Sequence, residues 1–188
     1  MLGFKIQARA AEPLSSADFR QLFEEHVDYV HRSLRRLGIR SGDLDDLAQE
    51  VFLVVLRRWV DFDQTRPVRP WLFGIAYRIA IAHVRKRHRE APSDALDEHL
   101  HPQPDGAEQH ESRALVLAAL ERIPLPRRAV FTLHSIDGVD MKEVAKQLGV
   151  PLFTAYARLR KARQEFEAAV LVLLGGRQFS ERLSRKAR

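Results

Sequence analysis

The chain has no cysteine. That excludes a disulfide framework, a thiolate zinc site and a cysteine nucleophile, and it agrees with a reducing, cytoplasmic setting. Long apolar runs are missing too: nothing approaches the ~18 uninterrupted apolar residues of a membrane span. The opening stretch MLGFKIQARAAEPLSS has too short an apolar core for a secretory signal, so a soluble intracellular protein is expected. There is no HExxH pair, no phosphate-cradling glycine loop and no serine elbow, and no enzyme is expected. No run alternates apolar and polar residues as a strand would, and no internal repeat occurs.

What is present is charge and helical periodicity. Thirty-one Lys and Arg against 25 Asp and Glu leave a formal charge of +6, which favours a polyanionic partner, nucleic acid first and an anionic membrane surface second. A length of 188 residues with 45% apolar content suits one ordinary domain or two small ones.

Phe19, Leu22, Phe23, His26, Val30, Leu34 and Leu37 recur at helical spacing, and Gly38 follows where a helix would end. A second helix is expected over DLDDLAQEVFLVVLRRW, residues 43–59, capped by Ser41 or Asp43. Its Leu44, Leu47, Ala48, Val51, Val55 and Trp59 gather on one side, where a core would be. The opposite stripe carries Asp46, Gln49, Glu50, Leu53 and Arg57, one apolar residue inside a polar, partly acidic face. A third helix is expected from about Trp71 to His88, apolar at first and then basic as RKRHR.

Residues 90–112 break this pattern with three prolines, one glycine, seven acids and neither Lys nor Arg, the composition of a linker. Its His99, His101 and His110 have no cysteine or well-spaced third ligand beside them, so neither a metal nor a cofactor is expected. Helical patterning resumes at ALVLAALERI, and Pro126 suits the first position of the helix that follows. The chain closes on GGRQFSERLSRKAR, residues 175–188, a basic tail expected to be a disordered end.

DMKEVAKQLGVPLFTAYARLRKARQEF carries the most specific local signal. Asp140 and Glu143 have the spacing of a capping arrangement, Ala145 is small where a second helix must cross, and Gly149 permits a left-handed turn. Thr154 is expected to start the next helix. Ala155, Leu159, Ala162 and Phe166 then face inward, and Tyr156, Ala157, Arg160, Lys161 and Gln164 face outward. A basic helix of this kind fits the DNA major groove, with Arg160 able to pair with guanine and Arg158 and Arg163 clamping the backbone.

Taken together, DLDDLAQEVFLVVLRRW, RPWLFGIAYRIAIAHVRKRHR and ALERIPLPRRAVFTLHSIDGVDMKEVAKQLGVPLFTAYARLRKAR resemble, in that order, the conserved segments of an extracytoplasmic-function (ECF) RNA polymerase sigma factor of the sigma-70 family. The resemblance covers most of residues 17–170. It implies an all-α chain: a region 2-like domain at 17–89, a flexible acidic linker at 90–111, and a region 4-like helix-turn-helix domain at 112–174. It implies a bacterial specificity subunit that binds core RNA polymerase, directs it to promoters and opens the DNA, and it makes an anti-sigma factor a further expected partner.

Residue by residue, Asp46, Gln49, Glu50 and Leu53 match the surface that docks on the basic clamp helices of the polymerase β′ subunit. Thr154, Tyr156, Ala157, Arg158, Arg160, Lys161 and Arg163 match the −35 recognition helix. Phe62, Asp63 and Gln64 fall where a flipped −10 base is captured, and Trp71, Arg78 and Arg85, with Gly74, on the helix that reads and melts the −10 element. Many relatives carry Asn and Asp where this chain has Arg78 and Ala82. The acidic linker takes a path toward the polymerase active centre, where its acids would mimic RNA. A different class of reading is a helix-turn-helix repressor or activator whose N-terminal helices sense or dimerise; a dimer face should be more continuously apolar than the Asp46–Leu53 stripe.

Overall fold

The computed structural model describes residues 14–90 and 107–186, with side chains at 14–90 and 112–175. No strand occurs among the described residues, and the chain divides into two compact units.

The described residues of the first unit form three α-helices. Helix α1 spans Ser16–Arg36 and starts on a reciprocal cap: the Asp18 amide donates to Ser15 Oγ at 3.2 Å, and that hydroxyl donates to the Asp18 carboxylate at 2.6 Å. It ends where Gly38 turns left-handed, at φ +90°, so that the Ile39 amide reaches back to the Leu34 carbonyl at 3.1 Å. Helix α2 spans Leu44–Arg58 after a 3₁₀ turn at Ser41–Asp43. Neither expected cap makes a side-chain bond there; the Asp43 carboxylate instead faces His83 Nε2 at 3.4 Å and Arg40 Nε at 4.0 Å.

Helix α3 spans Val68–Glu90, beginning three residues before the expected Trp71. Pro70 sits in its first turn, where no intrahelical amide partner is lost. The side chains of Val30, Leu34, Val51, Val55, Leu72 and Phe73 are completely buried, each burial stabilising the unit by about 1.5–3 kcal/mol before entropy is counted. Phe52, which the helical count left off the core face, is buried against Phe19 and Phe23 of α1, at 6.3 and 4.7 Å between ring centroids. Phe23 is itself partly exposed.

The described residues of the second unit form four α-helices. Helix α4 spans Ala107–Glu121, so it begins inside the stretch expected to be linker; residues 91–106, with His99 and His101, lie outside the described residues, as does the His110 side chain. Helix α5 spans Leu125–Phe131, with Pro126 at its second position rather than its first, and widens into one π turn at Thr132–Ile136. Helix α6 is Met141–Leu148 and α7 is Leu152–Lys186.

Helix α7 departs twice from expectation. It starts at Leu152, two residues before Thr154, and it continues through most of the segment expected to be a disordered tail. The glycine pair at 175–176 lowers helix propensity by roughly 1 kcal/mol per residue without providing a stop. Phe131 and Phe166 stack at 4.8 Å, and Arg127 on α5 donates twice to Glu165 on α7, at 2.8 and 2.7 Å.

Candidate functional site

The stripe on α2 is exposed along its whole length. Asp46, Gln49, Glu50 and Arg57 are all exposed, and Leu53 is 48% exposed in their midst. The inward side is equally clear, with Leu44, Leu47, Ala48, Val51, Val55 and Trp59 all buried. Two further apolar side chains extend the surface beyond the sequence reading: Leu56 at 43% and Val60 at 46% exposure. The spacing Gln49, Leu53, Leu56, Val60 is four, three and four residues, the pattern of a seam laid along a partner helix. That spacing was readable in the sequence, but both residues also suit the edge of a core face.

The candidate −10 residues form two groups. Phe62 follows the 3₁₀ turn Trp59–Asp61, and its ring stacks on Trp71 with centroids 4.6 Å apart; Trp59, buried, lies 5.5 Å from Phe62 and 6.1 Å from Trp71. Asp63 accepts from the Thr65 amide at 3.1 Å and from its hydroxyl at 2.6 Å, closing a turn. The Thr65 hydroxyl, then its amide, holds the Asp63 carboxyl below the usual carboxylate range. Gln64 is half-buried beside it. Farther along α3, Arg78 and Arg85 are exposed and Gly74 is buried. Desolvation, and after it the neighbouring Arg58 guanidinium, push Arg78 down from its ordinary value.

The helix-turn-helix is built as its sequence demands. The Lys142 amide donates to Asp140 Oδ1 at 2.8 Å, capping α6, and Glu143 accepts from Gln147 at 2.6 Å. Gly149 stands at φ +65°, ψ +40°, and the Val150 amide donates to the Ala145 carbonyl at 3.0 Å. Ala145, Ala155, Leu159 and Ala162 are buried where α6 and α7 meet the unit's core, with Phe166 half-buried. Tyr156, Arg160, Lys161, Arg163 and Gln164 are exposed; Thr154, Ala157 and Arg158 are half-buried at the margins. The sequence reading passed over Phe153, which is 84% exposed in the first turn of α7.

Among the described residues no group of three or more His, Asp or Glu side chains could hold a metal, and no helix is long and apolar enough to cross a membrane.

An acidic, leucine-centred helix face in one helical unit and a capped helix-turn-helix with a cationic second helix in the other define a DNA-binding protein of the helix-turn-helix class. Comparison with known proteins narrows this. Residues 22–90 match the family Sigma-70 region 2, and residues 113–166 match Sigma-70, region 4. The chain is 30% identical to the RNA polymerase sigma factor NccH of Alcaligenes xylosoxydans xylosoxydans, over 86% of this chain and 91% of that one. It is 31% identical to the ECF RNA polymerase sigma factor SigM of Mycobacterium tuberculosis, over 77% and 73%. The chain belongs to the ECF group of the sigma-70 family, the sigma factors that direct RNA polymerase to promoters.

Two solved structures share its fold. The sigma factor RpoE in complex with the anti-sigma factor NepR from Bartonella quintana superposes with a TM-score of 0.68 at 21% identity, over 82% of this chain and 98% of that one. CnrH in complex with the cytosolic domain of CnrY gives a TM-score of 0.60 at 25% identity, over 84% and 90%.

Proposed function

We propose that Asp46, Gln49, Glu50 and Leu53, extended by Leu56 and Val60, dock this sigma factor on the basic clamp helices of the polymerase β′ subunit. The observation that carries this reading is Leu53, a large apolar side chain left 48% exposed among acids and an amide on the side of α2 opposite its buried face. Such an arrangement serves as a small apolar anchor with an electrostatic rim.

Thr154, Tyr156, Ala157, Arg158, Arg160, Lys161 and Arg163 contact the −35 element. Arg160 reads a base edge, and Arg158 and Arg163 hold phosphates. Phe62, Asp63, Gln64, Trp71, Arg78 and Arg85 engage the −10 element as it opens, the arginines along the backbone and the aromatic group beside the unstacked bases. The division of labour follows the sequence: docking and opening lie before residue 90, and −35 recognition lies after residue 112. The protein works in the cytoplasm as a specificity subunit and contributes no catalytic group.

The complex of its structural relative RpoE with the anti-sigma factor NepR supports an anti-sigma factor as a further partner. Mixing the purified chain with core polymerase and assaying transcription from a promoter library tests the reading. Selective initiation at a defined pair of elements is expected, and absence of any complex with core polymerase would overturn it.

A further inference from the structure

Phe153 is the most exposed large apolar side chain among the described residues, at 84%. It occupies the second position of α7, two residues after Pro151, and makes no ring contact among the described residues. Residues 153, 156, 157 and 160 stand i, i+3, i+4 and i+7, one ridge along the helix. That ridge begins with Phe153, passes Tyr156 at 55% exposure and half-buried Ala157, and ends on exposed Arg160. Its flanks are cationic, with Arg158, Lys161 and Arg163.

The N-terminal residues of a recognition helix are those that reach base edges. The apolar feature a major groove offers there is the C5 methyl of thymine, and Phe and Ala are side chains that contact it. Cations on both flanks match the phosphates lining such a groove. An apolar tip between cations thus fits DNA better than it fits an apolar protein surface, against which those cations would lose their water.

We propose that Phe153 is a specificity-determining residue that reads a thymine methyl in the −35 element, ahead of the base read by Arg160. This rests on the helix-turn-helix reading given above and adds to it a base class and a contact absent from the sequence-derived set.

The test uses holoenzyme assembled from the full chain and core polymerase, on −35 elements selected from a randomised library. Each thymine of the selected element is then replaced singly by deoxyuridine, which removes the methyl and keeps the base pair. Wild-type holoenzyme should bind about fourfold more weakly at one or two positions, the value of one buried methyl-sized group. Phe153→Ala should bind thymine and uracil alike there, with Phe153→Leu intermediate, and all three proteins should melt alike because the ring is exposed.

A selected element without thymine, or indifference of the wild type to uracil at every position, overturns the proposal while leaving −35 recognition standing. Holoenzyme with no −35 preference at all brings down the underlying reading instead. A Phe153→Ala variant that keeps the full uracil penalty assigns the methyl to another side chain. Unchanged sequence ranking in that variant, with weakened binding to a protein partner, assigns the ring to that partner. Either result also overturns the proposal.

Discussion

The ring of Phe62 lies against that of Trp71 at 4.6 Å between centroids and 26° between planes. The loop proposed to engage unstacked −10 DNA is thus pinned to α3 by an aromatic contact, and Trp59 closes the cluster from the end of α2. An offset stack of this kind contributes about 0.5–1.5 kcal/mol beyond the area it buries. Phe62→Ala should therefore lower the melting midpoint, by about 4–8 °C for each kcal/mol lost from a unit of this size. Core-polymerase affinity should be retained, and opening followed by a fluorescent −10 base should slow. An unchanged melting curve would show that the stack contributes nothing in solution.

Because the α2 stripe is exposed, its substitutions separate docking from folding. Asp46→Lys, Glu50→Lys and Leu53→Ala should each keep stability within about 0.5 kcal/mol and weaken core-polymerase binding by roughly 1–2 kcal/mol, about five- to thirtyfold. Leu56→Ala and Val60→Ala should weaken it in the same assay by less. Titrating labelled chain against core polymerase, with circular dichroism as the folding control, decides the matter. Unaltered affinity in the first three variants would remove α2 from the interface.

Arg160 and Arg163 are both exposed on α7 but are assigned different work. Arg160→Ala should change the ranking of −35 sequences, at a cost of about 1–3 kcal/mol on the preferred one. Arg163→Ala should weaken all sequences nearly equally and reduce the salt slope by about 1. Binding measured across a −35 panel at several salt concentrations separates the two. An identical ranking in Arg160→Ala would show that this side chain reads no base.

His26 gives the first unit a pH dependence. Burial, only partly offset by Glu25 and reinforced by Arg69, lowers its pKa below the usual 6.5. As pH falls through that value the unfolded chain takes up the proton before the folded one does, so stability present above pH 6.5 is lost below it. The slope can reach about 1.4 kcal/mol per pH unit. Denaturant unfolding between pH 7.5 and 5 should show the decline, and His26→Gln should flatten it. The same slope in the variant would place the effect elsewhere.

The two helix faces were legible because each depends on residues close together in sequence. The apolar and polar sides of α2 follow from the helical repeat, and Asp140, Ala145 and Gly149 specify the helix-turn-helix within ten residues. What escaped was set by contacts across longer distances or by exposure. No periodicity joins Phe62 to Trp71, and Phe52 reaches the core because α1 presents Phe19 and Phe23 to it. Asp43 looked like a cap, but its carboxylate turns to His83, forty residues on. Phe153 lies before the expected helix start at Thr154, so the helical count assigned it to neither face. Only its exposure marks it out, and exposure is not local information.

Gly149 bears on which sequences the turn between α6 and α7 can tolerate. Its φ of +65° disfavours any side chain, but a Cβ built there would meet nothing within 4 Å. The restriction is one of torsion and not of volume, so the cost of leaving glycine should be flat in size. Alanine, leucine and lysine should each lose about 1–2 kcal/mol, and asparagine less. Unfolding of Gly149→Ala and Gly149→Leu should coincide, whereas Ala145→Leu, at a buried crossing, should be far worse than Ala145→Ser. A steep size dependence at 149 would mean the space beside it is filled in solution. Variation at that position across a family would then record a preferred dihedral angle, while variation four residues earlier would record the distance between two helices.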